Sequence, residues 1–525
     1  MKNKKIIIVI LVILIVALGL FLRVYNIDHT PSGIFPDEAM NGEDAIKAND
    51  SGNYELFYPA NEGREGLFIN LMALSFKLFG INIFTLKLPA IIFSTLTILG
   101  TYLLTKELFK KERIALISSF LVAVSFWSID FGRIAFRANM LPFVMVFSFY
   151  FLFRGIRTKK WIDFALSGLI FGIGAHAYIA WRIAPLILFI LLMSFILSRK
   201  NFIKEYWKHI LVFILLFLIT ALPIFYTLYK NPTYIHAPVD DISIFSPQIN
   251  KGDLVGTFFR SFSLSLIKYN FWGDQNWRHN YPPYPILDPL SGIAFLFGII
   301  FSFLILFQKL YQRIKQKIRD PKMDSYALLI LWFFIMLAPE FLTGESLPHA
   351  LRSIGNLPTV FIFSALTFNF FLEKSEKHRL IFRKIIFFLA IFALLIIGLF
   401  NSIKYHYFWA NNPKVAESFN KNLTDISRYV QTLPAQKEKF IINSFGPYHS
   451  PLDRLPIQIF NLNLPNTTYL YSWQGFDQIK PKTNDFVIIL TGKDADTENR
   501  LKQVFPNLAL QKITPSPGSI YYILK

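Results

Sequence analysis

Apolar residues in this chain come in long uninterrupted runs separated by short polar stretches, rather than in the stripes of a soluble amphipathic helix or the alternation of a half-buried strand. A run that is apolar all round and approaches about 20 residues is long enough to cross a bilayer as a helix. Such runs lie at Ile6–Leu22, Ile83–Leu104, Ile114–Ile129, Met140–Phe153, Phe164–Tyr178, Ile183–Leu197, Ile210–Leu228, Leu290–Phe307, Tyr326–Leu342, Leu357–Leu372 and Ile385–Ile403. They predict an all-α polytopic membrane bundle of about eleven helices. The first run follows Lys2, Lys4 and Lys5. It is longer than a signal-peptide core and has no small-residue cleavage site, so it reads as an uncleaved first span. Pro89, Pro142, Pro185, Pro223, Pro339 and Pro358 interrupt or border the runs, where they kink or end helices.

Three stretches break this pattern. Between Arg64 and Phe79, apolar residues recur at helical spacing while Arg64, Asn70 and Lys77 stay polar, which predicts a helix lying on the membrane surface. Residues Tyr229–Asp288 form a long loop rich in Pro, Tyr, Trp and Asn, suited equally to interfacial anchoring and to a lid. After Tyr405 the pattern turns soluble. Pro413–Leu433 and Asp494–Val504 read as helices, and Phe440–Asn443, Phe486–Leu490 and Ser519–Leu524 as strands. The expected division is a multispanning domain over 1–404 and a small α/β domain over 405–525.

Composition agrees with a membrane protein: 525 residues, 53% hydrophobic and 17% aromatic. The formal charge of +20 sits in Lys/Arg clusters between runs, at 106–113, 154–160, 199–208, 309–322 and 374–384. That distribution argues against a nucleic-acid partner and places those loops, with the N-terminus, in the cytosol. The alternate loops, 31–80, 130–137, 176–182, 229–288 and 339–352, and everything after Tyr405, then lie outside the cell membrane. With no cysteine there are neither disulfides nor thiolate-bound metals.

Candidate chemistry gathers in the outside loops. The first carries Asp37, Glu38, Glu43, Asp44, Glu62, Arg64 and Glu65. Asp37 and Glu38 follow Pro36, where a short helix begins; Asp37 is a candidate general base, or alternatively the N-cap of that helix. Arg133 and Arg137, four apart, would share a helix face and grip a phosphate, or else pair with lipid head groups or the first-loop acids. His176, Tyr178 and Arg182 mark another outer end, and Glu345, His349 and Arg352 a third. No motif demands a cofactor. A divalent metal ion on Glu345 and His349 would need a further acid, Glu38 or Glu65.

With Asp37-Glu38 after the first span, and arginine-bearing outer ends at Arg133–Arg137 and His176–Arg182, the membrane portion up to Tyr405 resembles the GT-C glycosyltransferases. These use polyprenyl-phosphate sugars and include protein O-mannosyltransferases (glycosyltransferase family 39) and lipid A aminoarabinose transferases. The resemblance implies catalysis by Asp37, with Glu38 beside it and Glu65 as a further candidate, and lipid-phosphate binding near the arginines. It also implies a polyprenyl-phosphate sugar donor and an extracytosolic acceptor as partners, with membrane lipids around them. Where relatives often carry Lys-Pro-Pro-Leu, this chain has Arg64-Glu65-Gly66-Leu67, which leaves sugar and acceptor open. A transporter or flippase for a lipid-linked or polar envelope precursor is the competing class, but its acids belong at mid-bilayer, whereas here the ionisable residues gather at one face.

Overall fold

The computed structural model describes residues 2–236, 242–443, 451–462, 464–473, 476, 479–493 and 495–524. Its first helices are α1 (Lys2–Val24), α2 (Pro36–Ser51), α3 (Leu67–Phe79), α4 (Ile83–Phe109), α5 (Glu112–Val124), α6 (Phe126–Phe131) and α7 (Met140–Thr158). Next come α8 (Trp161–Ile173), α9 (Pro185–Ser198), α10 (Phe202–Lys230), the single turns α11 (Thr233–His236) and α12 (Pro247–Asn250), and α13 (Leu254–Ile267). The remaining apolar helices are α14 (Pro289–Lys315), α15 (Lys322–Phe341), α16 (Leu357–Ser375) and α17 (Leu380–Ile403). Contacts divide the chain into one unit of Met1–Tyr25, Tyr54–Asn70 and Pro89–Tyr405, and a second of Asn26–Asn53, Leu71–Leu88 and His406–Lys525.

Among the described residues, 9 helices are long and apolar enough to cross a membrane. The predicted runs Ile114–Ile129 and Phe164–Tyr178 are also helical, but broken. Ser125 has ψ 139 between α5 and α6, and its hydroxyl accepts the Ser128 N–H at 3.2 Å to cap α6. Helix α8 ends at Ile173 and passes into 3₁₀ turns at Gly174–His176 and Ile179–Ile183.

In the first unit, small residues bring helix backbones together, as they must where lipid removes the hydrophobic drive for helix association. A Cβ on Gly168 of α8 would stand 2.2 Å from the Phe213 carbonyl of α10, and one on Gly172 would stand 1.9 Å from the Thr220 hydroxyl. At the α14–α16 crossing, a Cβ on Gly298 would meet the Phe363 carbonyl at 1.9 Å. Beside it the Thr367 hydroxyl donates to the Ala294 carbonyl at 2.7 Å. The hairpin of β1 (Phe57–Tyr58) and β2 (Arg64–Glu65) precedes α3, so the predicted surface helix begins at Leu67 instead of Arg64. Helix α3 buries Phe68, Ile69, Met72, Ala73 and Phe76 and exposes Leu74, Leu78 and Phe79.

The second unit is built on a five-stranded sheet from β3 (Glu438–Asn443), β4 (Thr467–Tyr471), β5 (Phe486–Leu490), β6 (Leu510–Ser516) and β7 (Ser519–Leu524), in the order β4-β3-β5-β7-β6. Strand β3 runs parallel to β4 and β5, and β7 antiparallel to β5 and β6. Four helices accompany it: α18 (Pro413–Ser418), α19 (Lys421–Thr432), α20 (Leu455–Gln458) and α21 (Ala495–Val504). Leu423, Ile426 and Val430 of α19 cover one sheet face through Ile441, Val487 and Ile489. Leu501 of α21 packs among Ile442, Ile488 and Leu490 on the other. The single helix expected over Pro413–Leu433 is divided at Asn420, which takes a left-handed conformation at φ 48 that Asn tolerates better than most residues. Asp494, the predicted start of α21, lies outside the described residues.

The first-loop segment Asn26–Asn53 belongs to this second unit. The Ile34 N–H donates to the Thr424 hydroxyl at 3.1 Å, and Arg428 donates to the Asp28 carbonyl at 2.6 Å. A Cβ on Gly33 would lie 2.3 Å from the Phe419 carbonyl.

The α8–α10 crossing yields a test. Gly172→Leu must drive the two helices apart, and overpacking of this kind costs about 1–3 kcal/mol. The thermal midpoint of the detergent-solubilised protein should fall, whereas Phe189→Leu, at a side chain 65% exposed, should leave it nearly unchanged.

Candidate active site

Helix α2 opens the acidic pair. Phe35 is the N-cap, Pro36 occupies the first helical position, and Asp37 and Glu38 stand in the first turn. The Glu38 carboxylate reaches back to accept the Phe35 N–H at 3.1 Å, as the third residue does in a capping box. The capping assignment considered for Asp37 therefore falls to Glu38. Glu38 is fully buried and Asp37 half-buried. Their position suits two carboxylates, because the positive end of the helix dipole favours anions there. Glu43 pairs with Lys47 at 3.1 Å, and Asp44 is buried.

In the first unit the β1–β2 hairpin presents Glu65. Its carboxylate, only 4% exposed, accepts Arg137 Nε at 2.7 Å and lies 3.9 Å from Arg182 Nη2. The Arg137 guanidinium also packs over the Tyr178 ring, 5.7 Å from its centroid. Glu65, Arg137, Tyr178 and Arg182 thus form one cluster, a single acid against two guanidinium groups that keep side-chain exposures of 22% and 31%. Arg64 is buried and donates to the Ala60 carbonyl at 3.2 Å. His176 lies beside this set in sequence, but its Nε2 is 2.8 Å from the Thr220 carbonyl.

No helix runs through Arg133 and Arg137, correcting the expectation of a shared helix face. Arg133 sits in the turn after α6, and Arg137 opens a 3₁₀ turn over Arg137–Asn139. Arg133 is wholly buried, donates to the Leu22 carbonyl at 2.8 Å and packs over the Tyr405 ring. The intervening Phe136 adopts φ -103 and ψ 130, which ends any helical phase between the two arginines.

A third cluster combines Asp274, His279 and His349, whose ligand atoms all lie within 4.8 Å of one another. His279 Nδ1 is 3.1 Å from Asp274 Oδ2, which also accepts the Ala350 N–H at 2.7 Å. The His349 N–H donates to Glu340 at 3.0 Å. Buried Glu340 also holds the Lys268 ammonium, which donates to the Ser353 hydroxyl at 2.6 Å. Glu345, offered as a metal partner of His349, instead faces Arg352 at 3.6 Å and is 55% exposed. Arg352 donates to the Thr343 hydroxyl at 2.8 Å and to the Glu345 carbonyl at 2.7 Å.

Comparison with known proteins adds the following. Residues 67–226, from the start of α3 into α10, match the family model described as dolichyl-phosphate-mannose-protein mannosyltransferase. ArnT from Cupriavidus metallidurans, solved bound to undecaprenyl phosphate, superposes with TM-score 0.54 at 10% identity over 100% of this chain and 98% of its own. Its apo state gives 0.51 at 11% identity. The archaeal oligosaccharyltransferase AglB from Archaeoglobus fulgidus, in complex with an inhibitory peptide and a dolichol-phosphate, gives 0.51 at 15% identity over 89% of this chain and 65% of its own. No curated protein matches the sequence significantly.

This chain has the fold of ArnT and AglB.

Within this fold, sequence reasoning passed over Lys268, Asp274, His279 and Glu340. Glu340 was detectable as a charge inside the apolar run Tyr326–Leu342, whereas Lys268 lies in the long 229–288 loop. Asp274 and His279 sit in the aromatic loop, where no spacing rule joins them to His349. Burial pushes both imidazoles down from their ordinary value, against the pull of Asp274, and His349 falls furthest. Burial thus favours the neutral imidazole, the form that ligates metals. Nδ1 of His349 has no hydrogen-bond partner among the described residues. Two imidazoles and a carboxylate fit a divalent transition metal. If a cation is held here, elemental analysis of the purified protein will find about one per chain, and His349→Ala will lose it. A metal-free wild type would leave the cluster as a hydrogen-bonded brace.

Proposed function

We propose that this protein is an integral membrane glycosyltransferase that moves a sugar from a polyprenyl-phosphate donor to an extracytosolic envelope acceptor, a protein, lipid or glycan, with inversion at the anomeric carbon. The observation that carries the reading is a fold shared along the whole chain with ArnT, solved with undecaprenyl phosphate bound. A lipid-phosphate ligand in AglB as well supports the same donor class.

The chemistry divides simply. The acceptor hydroxyl oxygen bonds to the anomeric carbon from the face opposite the phosphate, its proton passes to a carboxylate, and the C–O bond to phosphate breaks. The polyprenyl phosphate leaves as a stable anion and needs no general acid, so one base and several cations suffice. Asp37 is the base in this reading. Glu38, engaged with the Phe35 N–H, positions the helix that carries it. Arg137 and Arg182, two cations on one acid, bind the donor phosphate, and Glu65 keeps them oriented. Membrane topology follows the Lys/Arg alternation, with a cytosolic N-terminus and an extracytosolic 405–525 domain.

Asp37→Asn should lower transfer from a labelled polyprenyl-phosphate sugar by roughly 10²–10⁴ while expression and donor binding persist. An active mutant would move the base to Glu65. Arg137→Ala removes a charge-assisted contact of roughly 1.5–3 kcal/mol and should weaken donor binding more than tenfold; unchanged affinity would make it a head-group anchor. Tags at Lys159, Lys204 and Lys317 should be protected in intact cells and tags after Tyr405 reachable. A protected C-terminus would reverse the orientation.

A further inference from the structure

At one end of the helical unit, the C-terminal ends of α4, α7, α9 and α16 meet the starts of α5 and α15. They surround two adjoining cavities. One, of about 340 Å³, has apolar walls that include Leu108, Ile114, Phe301 and Phe370, and a polar side with Lys110, Lys111 and Lys322. The other, of about 320 Å³, shares Leu108, Lys110, Lys322 and Ser325 with it and adds Arg157 and Arg199. These are the helix ends that the Lys/Arg alternation assigns to the cytosolic leaflet.

The cations outnumber the local acids. Lys110 and Arg157 both engage Glu107, Arg157 at 2.6 Å. Lys111 pairs with Glu373 at 2.6 Å, and Arg199 with the buried Asp324. Lys322 ion-pairs with no carboxylate among the described residues, and its neighbour Asp320 is held by Lys309 at 2.9 Å. Five cations thus face three carboxylates around joined cavities whose remaining walls are mostly hydrocarbon and aromatic, with Ser325 and Asn369 among them. Lys110 and Lys111 keep side-chain exposures of 54% and 50% at the edge of an apolar recess, where a phosphate lying against hydrocarbon would be partly dehydrated and its attraction to lysine strengthened.

We propose that this recess binds a phosphate diester, that of an anionic glycerophospholipid of the cytosolic leaflet, as a site separate from any donor-lipid site. The lipid phosphate lies among Lys110, Lys111 and Lys322, and its glycerol and upper acyl carbons lie against Ile114, Phe301 and Phe370. Basic recesses between transmembrane helices on that face suit anionic head groups, with about 1 kcal/mol per nearby Lys or Arg, about fivefold in affinity for each one removed.

The test uses full-length protein in phosphatidylcholine nanodiscs doped with phosphatidylglycerol, with bound lipid counted by native mass spectrometry after gentle extraction. Wild type should retain one phosphatidylglycerol in preference to phosphatidylcholine. Lys111→Gln/Lys322→Gln should retain it at least tenfold more weakly, and Lys322→Arg should keep it. Lys200→Gln/Lys204→Gln removes equal charge from the same face outside the cavities and should bind as wild type. Loss in that control equal to the loss in the cavity pair, or no anionic preference in wild type, overturns the proposal. A soluble arm with glycerol 1-phosphate separates the sources: a rise in wild-type thermal midpoint that Lys111→Gln/Lys322→Gln abolishes, without lipid retention, overturns the lipid assignment in favour of a free phosphate.

Discussion

A charge moved into a low-dielectric interior must find a partner or it destabilises the fold by several kcal/mol, and that constraint orders the helical unit. Arg23 near the end of α1 is wholly buried and spends its guanidinium on the Ser94 hydroxyl at 2.7 Å, the Gly19 carbonyl at 2.8 Å and the Ser128 hydroxyl at 2.6 Å. Asp324 accepts from Ser194 at 2.7 Å and Ser198 at 2.9 Å besides its pairing with Arg199. These contacts stitch α1 to α4 and α6, and α9 to α15, with a directionality that apolar packing in lipid does not supply. The same constraint separates structural cations from those that can meet a ligand. Arg133 and Arg23 are fully buried, whereas Arg137 and Arg182 share one carboxylate and keep part of their surface open.

The acidic pair of α2 shows a division of labour of the same kind. Helix geometry gives the third residue the task of closing the first turn, and Glu38 performs it from a fully buried position. Asp37, one residue earlier in the first turn, is not the residue that closes it. A proline at the first helical position fixes this register, since its missing N–H is one the helix would have left unsatisfied in any case.

Much of this was legible in the chain because the membrane imposes length and polarity on every span. Each predicted apolar run is helical, and the two shortened ones fail only where Ser125 and Gly174 interrupt them. Strands β5 and β7 were readable as apolar runs flanked by polar residues. Strands β4 and β6 were not, because at the sheet's edges their side chains are mostly partly exposed or solvent-facing. Pairing of Arg137 with a first-loop acid was among the alternatives the sequence offered, and Glu65 is that acid; the rest of its cluster, and the cluster around His349, resisted prediction for another reason. Their members come from loops far apart in sequence, and local periodicity carries no information about which loops meet. The helix face proposed for Arg133 and Arg137 failed because spacing of four implies a shared face only where the backbone is helical, and Phe136 is extended.

The attachment of the segment before α2 to helix α19 has a consequence for the order of events in biogenesis. The bond from Ile34 to Thr424 spans 390 residues, and that from Asp28 to Arg428 spans 400. During synthesis the first loop leaves the ribosome while its partner surface is still untranslated, and at typical elongation rates it waits tens of seconds. Gly33 and Ile34 must therefore stay accessible while every later helix inserts. The helix carrying Asp37 reaches its final packing among the last parts of the chain, so a nascent protein acquires the machinery proposed for sugar transfer only when the whole sequence has been made.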